Sequence, residues 1–117
     1  MQNFIFHNPT KVVFGKAAEE ETGRLCKAEG AKKVLVLYGG GSAVKSGLLG
    51  RVLASLDAEN IEHCELGGIV PNPRLSKVYE GLALCRKEKV DFLLAVGGGS
   101  VIDTATAIGY GLRYEGA

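Results

Sequence analysis

The sequence has few of the residues from which catalytic and metal centres are built. It holds two histidines, His7 and His63. Neither has a second ligand at a metal-like spacing, so both are expected to be structural or exposed. The three cysteines, Cys26, Cys64 and Cys85, are odd in number and lack zinc-type spacing. They read as buried free thiols of a reducing compartment, which with the start of the chain points to the cytoplasm. Met1 to His7 has no basic n-region and no long apolar segment, so no signal peptide is expected. No apolar run reaches membrane-spanning length, and no membrane partner is expected. Lys and Arg are scattered and the net charge is +1, so no nucleic-acid partner is expected either. A Gly-x-Ser-x-Gly elbow is missing, and neither Ser42 nor Ser100 has an evident base. Gly-x-Gly-x-x-Gly and Gly-Lys-Ser/Thr phosphate motifs are missing too. No catalytic residue and no metal ligand can be assigned.

Glycine is what the chain has in excess: 17 of 117 residues. Many fall in two runs, each directly after an apolar stretch. Residues 34–38, Val-Leu-Val-Leu-Tyr, lead into Gly39-Gly40-Gly41-Ser42. Residues 91–96 lead into Gly97-Gly98-Gly99-Ser100-Val101-Ile102-Asp103. A continuous apolar run suits a strand buried on both faces of a parallel sheet. A strand, a glycine turn and a helix in that order make an anion site. Glycines let backbone N–H groups approach a ligand, and the helix start adds unpaired donors and a positive dipole end. Ser100 and Asp103 also fit a Ser-x-x-Asp capping box, the bland reading of the same turn.

Along the chain, residues 4–7 and 11–14 are short β-like runs around Asn8-Pro9-Thr10, a hairpin or an edge pair. Residues 16–29 form a helix candidate with Glu19, Glu20 and Glu21 as its solvated start, Leu25 and Cys26 on its apolar side, and Gly30 as its stop. Leu48, Leu49, Val52, Leu53 and Leu56 mark one face of a second helix. Residues 61–66 form a weaker strand near an edge. Asn72 can cap the next helix with Pro73 at its first position, and Leu75, Val78, Tyr79, Leu82 and Cys85 give its apolar stripe. Residues 101–109 make the last helix. Residues 109–117, with three glycines among nine, lose periodicity. Tyr38 reads as core. The alternation implies one α/β domain over residues 1–117: a Rossmann-like, open, mostly parallel sheet with helices on both faces. Ligands bind such sheets at the carboxyl ends of the strands, so one nucleotide could touch both glycine turns.

Four stretches together resemble the iron-containing (group III) alcohol dehydrogenases. They are the opening ending Lys11-Val12-Val13-Phe14-Gly15, the turn Tyr38-Gly39-Gly40-Gly41-Ser42 with Lys45-Ser46-Gly47, the loop Val70-Pro71-Asn72-Pro73, and Ala95-Val96-Gly97-Gly98-Gly99-Ser100-Val101-Ile102-Asp103. The Pro-Asn-Pro loop and Ser42 resemble the NADPH-dependent butanol dehydrogenase branch. The resemblance implies a hydride transfer between NADP(H) and an alcohol or aldehyde; apolar surface left uncovered without a second domain is expected to make the chain self-associate as a homo-oligomer. The resemblance implies that Gly97, Gly98, Gly99 and Ser100 hold the pyrophosphate, that Gly39, Gly40, Gly41 and Ser42 face the adenosine ribose, and that Asn72 and Asp103 contact or shape the nucleotide site. It also implies that this chain is the N-terminal part of a longer enzyme, inactive alone. Iron or another divalent metal would belong to a C-terminal helical domain. Thr106 stands where family members often carry Lys. Two other readings remain open at this point: a stand-alone nucleotide-binding module, and a dehydroquinate-synthase-like or glycerol-dehydrogenase-like enzyme.

Overall fold

The structure, a computed structural model, describes residues 10–13, 22–28, 30–39, 47–69, 75–96 and 99–115. Eight elements follow in order: β1 (Thr10–Val13), α1 (Thr22–Ala28), β2 (Lys33–Tyr38), α2 (Leu48–Ala58), β3 (Glu62–Leu66), α3 (Leu75–Glu88), β4 (Phe92–Val96) and α4 (Gly99–Glu115). The four strands form one sheet in the order β1-β4-β2-β3. Every pairing is parallel. Strands β1 and β3 are the edges among the described residues, as their mixed polarity suggests. The partner expected for β1 at residues 4–7 lies outside the described residues, as do Glu19, Glu20 and Glu21.

Helices cover both faces of the sheet. On one face Val34 and Val36 of β2 and Phe92, Leu94 and Val96 of β4 pack with Cys26 of α1 and Leu49, Val52 and Leu56 of α2. On the other face Leu35, Leu37, Leu93 and Ala95 pack with Leu82 and Cys85 of α3 and Val101, Ala105, Ile108 and Leu112 of α4. Alternate residues of one strand thus feed two cores, which is why β2 and β4 are apolar throughout. Glycines set how closely the helices approach. A Cβ on Gly23 would overlap the Ser55 backbone of α2, and the Gly23 N–H donates to Ser55 Oγ at 2.8 Å. A Cβ on Gly81 of α3 would overlap Ile108 of α4.

Three helices end alike. After α1, Gly30 sits at φ +85, its N–H donates to Lys27 O and the Ala31 N–H donates to Cys26 O. After α2, Asn60 at φ 59 donates to Asp57 O and Ile61 to Leu56 O. After α3, Lys89 is at φ 56 and Val90 donates to Cys85 O. The left-handed residue closes the last turn, and the next residue (Ala31, Ile61 or Val90) is buried. Each exit aims the chain into a core.

Three sequence expectations need correction. The last helix does not stop near residue 109 but runs to Glu115. Leu112 continues the buried spacing of Val101, Ala105 and Ile108, and Gly111 packs on Leu82, where its Cβ would lie 3.0 Å from Leu82 Cδ2. Gly111 thus serves helix packing rather than ending the helix. Leu75 and Tyr79 are exposed, because α3 turns Gly81, Leu82 and Cys85 inward toward α4 and the sheet. Leu25 is exposed for a similar reason: α1 turns Thr22, Gly23 and Cys26 inward.

Candidate functional site

Strand order creates the site. Strand β2 is followed by α2 on one face, and its neighbour β4 is followed by α4 on the other. The chain therefore leaves two adjacent parallel strands in opposite directions. Such a divergence at the carboxyl edge is where open α/β sheets take ligands. Tyr38 and Val96 are register partners, so both glycine turns begin at the same level. Helix α4 starts at Gly99, three residues beyond Val96, with its amide end at this edge. The first four N–H groups of a helix have no partner inside it and suit an anion.

Of the residues singled out in the sequence, the structure describes Gly39 and Asp103 and the backbone of Gly99 and Ser100. Gly39 and Gly99 are at the same edge, one beyond each of these strands. Gly40, Gly41, Ser42, Asn72, Gly97 and Gly98 lie outside the described residues. Ser100 is the second residue of α4 and Asp103 the fifth. Asp103 and Thr106 are both exposed on α4.

Around Gly39 the structure adds residues that the sequence reading passed over. The Gly68 N–H donates to Gly39 O at 3.4 Å and the Ile69 N–H to Tyr38 O at 3.3 Å, so the chain leaving β3 folds back over the end of β2. A Cβ on Gly39 would lie 3.1 Å from Ile69 O and 3.8 Å from Val101 Cγ2. Tyr38, half-buried against the α1–α2 core, lies against Gly67, where any Cβ would overlap its ring. Lys77 reaches back from α3 and donates from Nζ to Gly67 O at 2.9 Å. Its Nζ is also 3.5 Å from Glu80 Oε1. The signal for this corner was Gly67-Gly68, a further glycine pair directly after a strand.

Side chains, not backbone, dominate the opposite edge. The Asp91 carboxylate accepts from the Lys32 N–H at 3.1 Å and the Lys33 N–H at 3.0 Å. Lys33 Nζ lies 3.1 Å from Glu88 Oε1 and 3.4 Å from Glu62 Oε1. The hydrogen bond to Glu88 is the main reason its ammonium titrates above the ordinary value. His63 Nε2 is 2.8 Å from Asp57 Oδ1. An open hollow of about 450 Å³ lies beside these residues, lined by Lys33, Asp57, Asn60, Ile61, Glu62 and His63. It is far from the glycine turns, and its acids and bases already satisfy one another. His63 is paired with Asp57 in this hollow. His7 lies outside the described residues. The three cysteines are free, with Cys26 and Cys85 buried and Cys64 half-buried. Burial pushes the Cys85 thiol up to about 12. Among the described residues, no three His, Cys, Asp or Glu side chains are placed to hold a metal ion. No described helix is long and apolar enough to cross a membrane.

Comparison with known proteins follows this geometry. Residues 9–117 match the family described as iron-containing alcohol dehydrogenase. The chain is 49% identical over 116 residues to the probable NADH-dependent butanol dehydrogenase 2 of Bacillus subtilis, covering 99% of this chain and 30% of that protein. It is 42% identical over 114 residues to the NADPH-dependent aldehyde reductase YqhD of Escherichia coli, covering 97% of this chain and 28% of that protein. Among solved structures it is similar to NADH-dependent butanol dehydrogenase A from Thermotoga maritima, with a TM-score of 0.83 and 51% identity over 99% of this chain and 29% of that one. The chain thus spans about 30% of the length of the curated relatives it matches.

Proposed function

Because this chain belongs to the iron-containing alcohol dehydrogenase family, we propose that it is the dinucleotide-binding part of an NADP(H)-dependent alcohol dehydrogenase or aldehyde reductase. The observation that carries the proposal is that β2 and β4 are adjacent parallel strands ending at the same level, each followed in sequence by a glycine run, with the connecting helices on opposite faces. In this reading Gly97, Gly98, Gly99 and Ser100 bind the pyrophosphate with backbone N–H groups and the start of α4. Gly39, Gly40, Gly41 and Ser42 face the adenosine ribose, while Asn72 and Asp103 shape the site. The bound dinucleotide would supply or accept the hydride. This chain's own residues bind and orient it. The described residues do not fit a metal site, so iron or another divalent ion, and turnover of the alcohol or aldehyde, are assigned to the part of the relatives' length that this chain does not span.

The preference for NADP(H) rests on charge. An NAD site places a carboxylate where it accepts from the ribose hydroxyls. Here the first carboxylate after β2 is Asp57, near the end of α2. A 2′-phosphate therefore meets no like charge, with backbone N–H groups, Ser42 and Lys45 in the same stretch. One charge-assisted hydrogen bond contributes about 1.5–3 kcal/mol, enough for roughly tenfold discrimination or more. A second reading, NAD(H), is favoured by the names of the two Bacillus subtilis relatives, which are 49% and 48% identical. Calorimetry with NADP⁺ and NAD⁺ on the unmodified protein and on Gly39→Asp separates the two. The glycine can accept the change if Ile69 O yields a few tenths of an ångström, because its Cβ would lie 3.1 Å away. The expected result is NADP⁺ preference in the unmodified protein and its reversal in the variant. Equal affinities, or tighter NAD⁺ binding before substitution, would overturn the NADP(H) reading.

A further inference from the structure

We infer that Lys77 is the cation that recognises the 2′-phosphate of the dinucleotide, and so a specificity-determining residue reached from α3. This rests on the nucleotide reading of the carboxyl edge. Lys77 is remote in sequence from both glycine turns, yet the fold brings it beside the end of β2, at the carboxyl edge. Its Nζ donates to Gly67 O at 2.9 Å. It also lies 3.6 Å from the place a Gly68 Cβ would take. Gly68 is in turn bonded through its N–H to Gly39 O. Gly39 is the first residue beyond β2, where a carboxylate would select NAD. The ammonium therefore lies one strand away from the selecting position.

The local chemistry fits a phosphate better than a hydroxyl. An ammonium has three donors, and Gly67 O and Glu80 engage two of them. Lys77 is a point charge on a flexible stem, able to swing toward a dianion without repacking a core. Its side chain is 29% exposed, so it is partly withdrawn from water and only partly screened. Gly68 has φ +73, a conformation that other residues adopt with strain, and a Cβ there would be in ordinary contact with the lysine. Gly67 cannot carry a side chain because of the Tyr38 ring. The two glycines keep this corner open for the ligand while holding Lys77 beside it. Glu80, 3.5 Å from Nζ, competes for the same charge.

The test uses 2′,5′-ADP and 5′-AMP, which differ only by the 2′-phosphate, titrated calorimetrically into the unmodified protein and its variants. The unmodified protein should prefer 2′,5′-ADP. In Lys77→Met that preference should fall about tenfold, the equivalent of one charge-assisted hydrogen bond, with AMP affinity unchanged. Lys77→Arg should keep the preference. Glu80→Gln, which leaves the lysine in place and removes its competitor, should raise it. Lys87→Met, on the same helix but at its far end, should change nothing. Equal losses for both ligands in Lys77→Met would mean that the residue only staples α3 to the β3 exit, and would overturn the inference. So would an unchanged ratio in both Lys77→Met and Glu80→Gln. If the unmodified, folded protein binds neither ligand, the nucleotide reading itself fails, an outcome distinct from either of these.

Discussion

The three matching helix exits make an internal experiment in backbone energetics. Gly30, Asn60 and Lys89 occupy the same left-handed position, at φ +85, 59 and 56. A residue with a side chain pays about 1–2 kcal/mol there, because its Cβ crowds the following carbonyl. Glycine avoids that term but loses more chain entropy on folding, which returns roughly 0.5–1 kcal/mol. The net gain for Lys89→Gly is therefore about 0.5–1 kcal/mol, or roughly 2–5 °C in Tm. Gly30→Ala should cost a similar amount, and its cause is unambiguous: a Cβ there meets no atom within 4 Å, so sterics with neighbours contribute nothing. Asn60→Gly should be nearly neutral, since asparagine tolerates this conformation.

Urea unfolding of the three variants measures these differences, with Lys87→Gly as the control. Lys87 lies inside the last turn of α3, two residues earlier, and is exposed. Glycine inside a helix is unfavourable by about 1 kcal/mol. The same substitution two residues apart should thus have opposite signs. If Lys89→Gly destabilises as much as Lys87→Gly does, then α3 does not end in this geometry and the argument collapses.

Two further outcomes follow from the polar contacts. Asp91→Ala removes the acceptor shared by the Lys32 and Lys33 N–H groups and should cost about 1–3 kcal/mol by urea unfolding, with Asp91→Asn recovering part of it. Cys85 should resist alkylation at pH 8 in the folded chain and react on unfolding, because burial holds its thiol protonated to about 12 against an ordinary value of 9.0. A raised folded value means that this thiol's contribution is intact below pH 9 and is lost as the pH climbs toward 12, since the unfolded chain ionises first. Stability should fall over that window, and less steeply in Cys85→Ala.

Strands β2 and β4 were legible because burial on both faces leaves a mark at every position. The helix boundaries were less so. Glycine late in α4 looks like a break when its neighbour is unknown, and only the packing of Gly111 on Leu82 shows that it is a contact. Likewise, a stripe including Leu75 and Tyr79 satisfies helical spacing, yet Gly81 marks the side that touches α4. The two glycine runs stand out in composition, and the structure places Gly39 and Gly99 at the carboxyl edge. What could not be read was adjacency: β4 lies beside β2 although β3 and α3 come between them in the chain. Lys77 and Asp91 were missed for the same reason. Their partners are 10 and 58–59 residues away, and each looks like an ordinary surface charge in sequence.

The two edges of the sheet are built by opposite means, and this bears on why the candidate site is where it is. At the amino edge, side chains close the structure: Asp91 grips the start of β2, Lys33 pairs with Glu62 and Glu88, and the helix exits end in buried residues. Backbone donors there already have partners. At the carboxyl edge backbone bonds from Gly68 and Ile69 close over the end of β2, and α4 brings the amide end of a helix. A phosphate needs donors that are not already used and room to approach them. The amino edge, hollow though it is, offers acids beside its bases. The carboxyl edge offers glycine, a helix start and Lys77, an ammonium that has Gly67 O and Glu80 beside it. The second edge thus holds a helix start beside glycine backbone, whereas at the first the bases are already paired with acids.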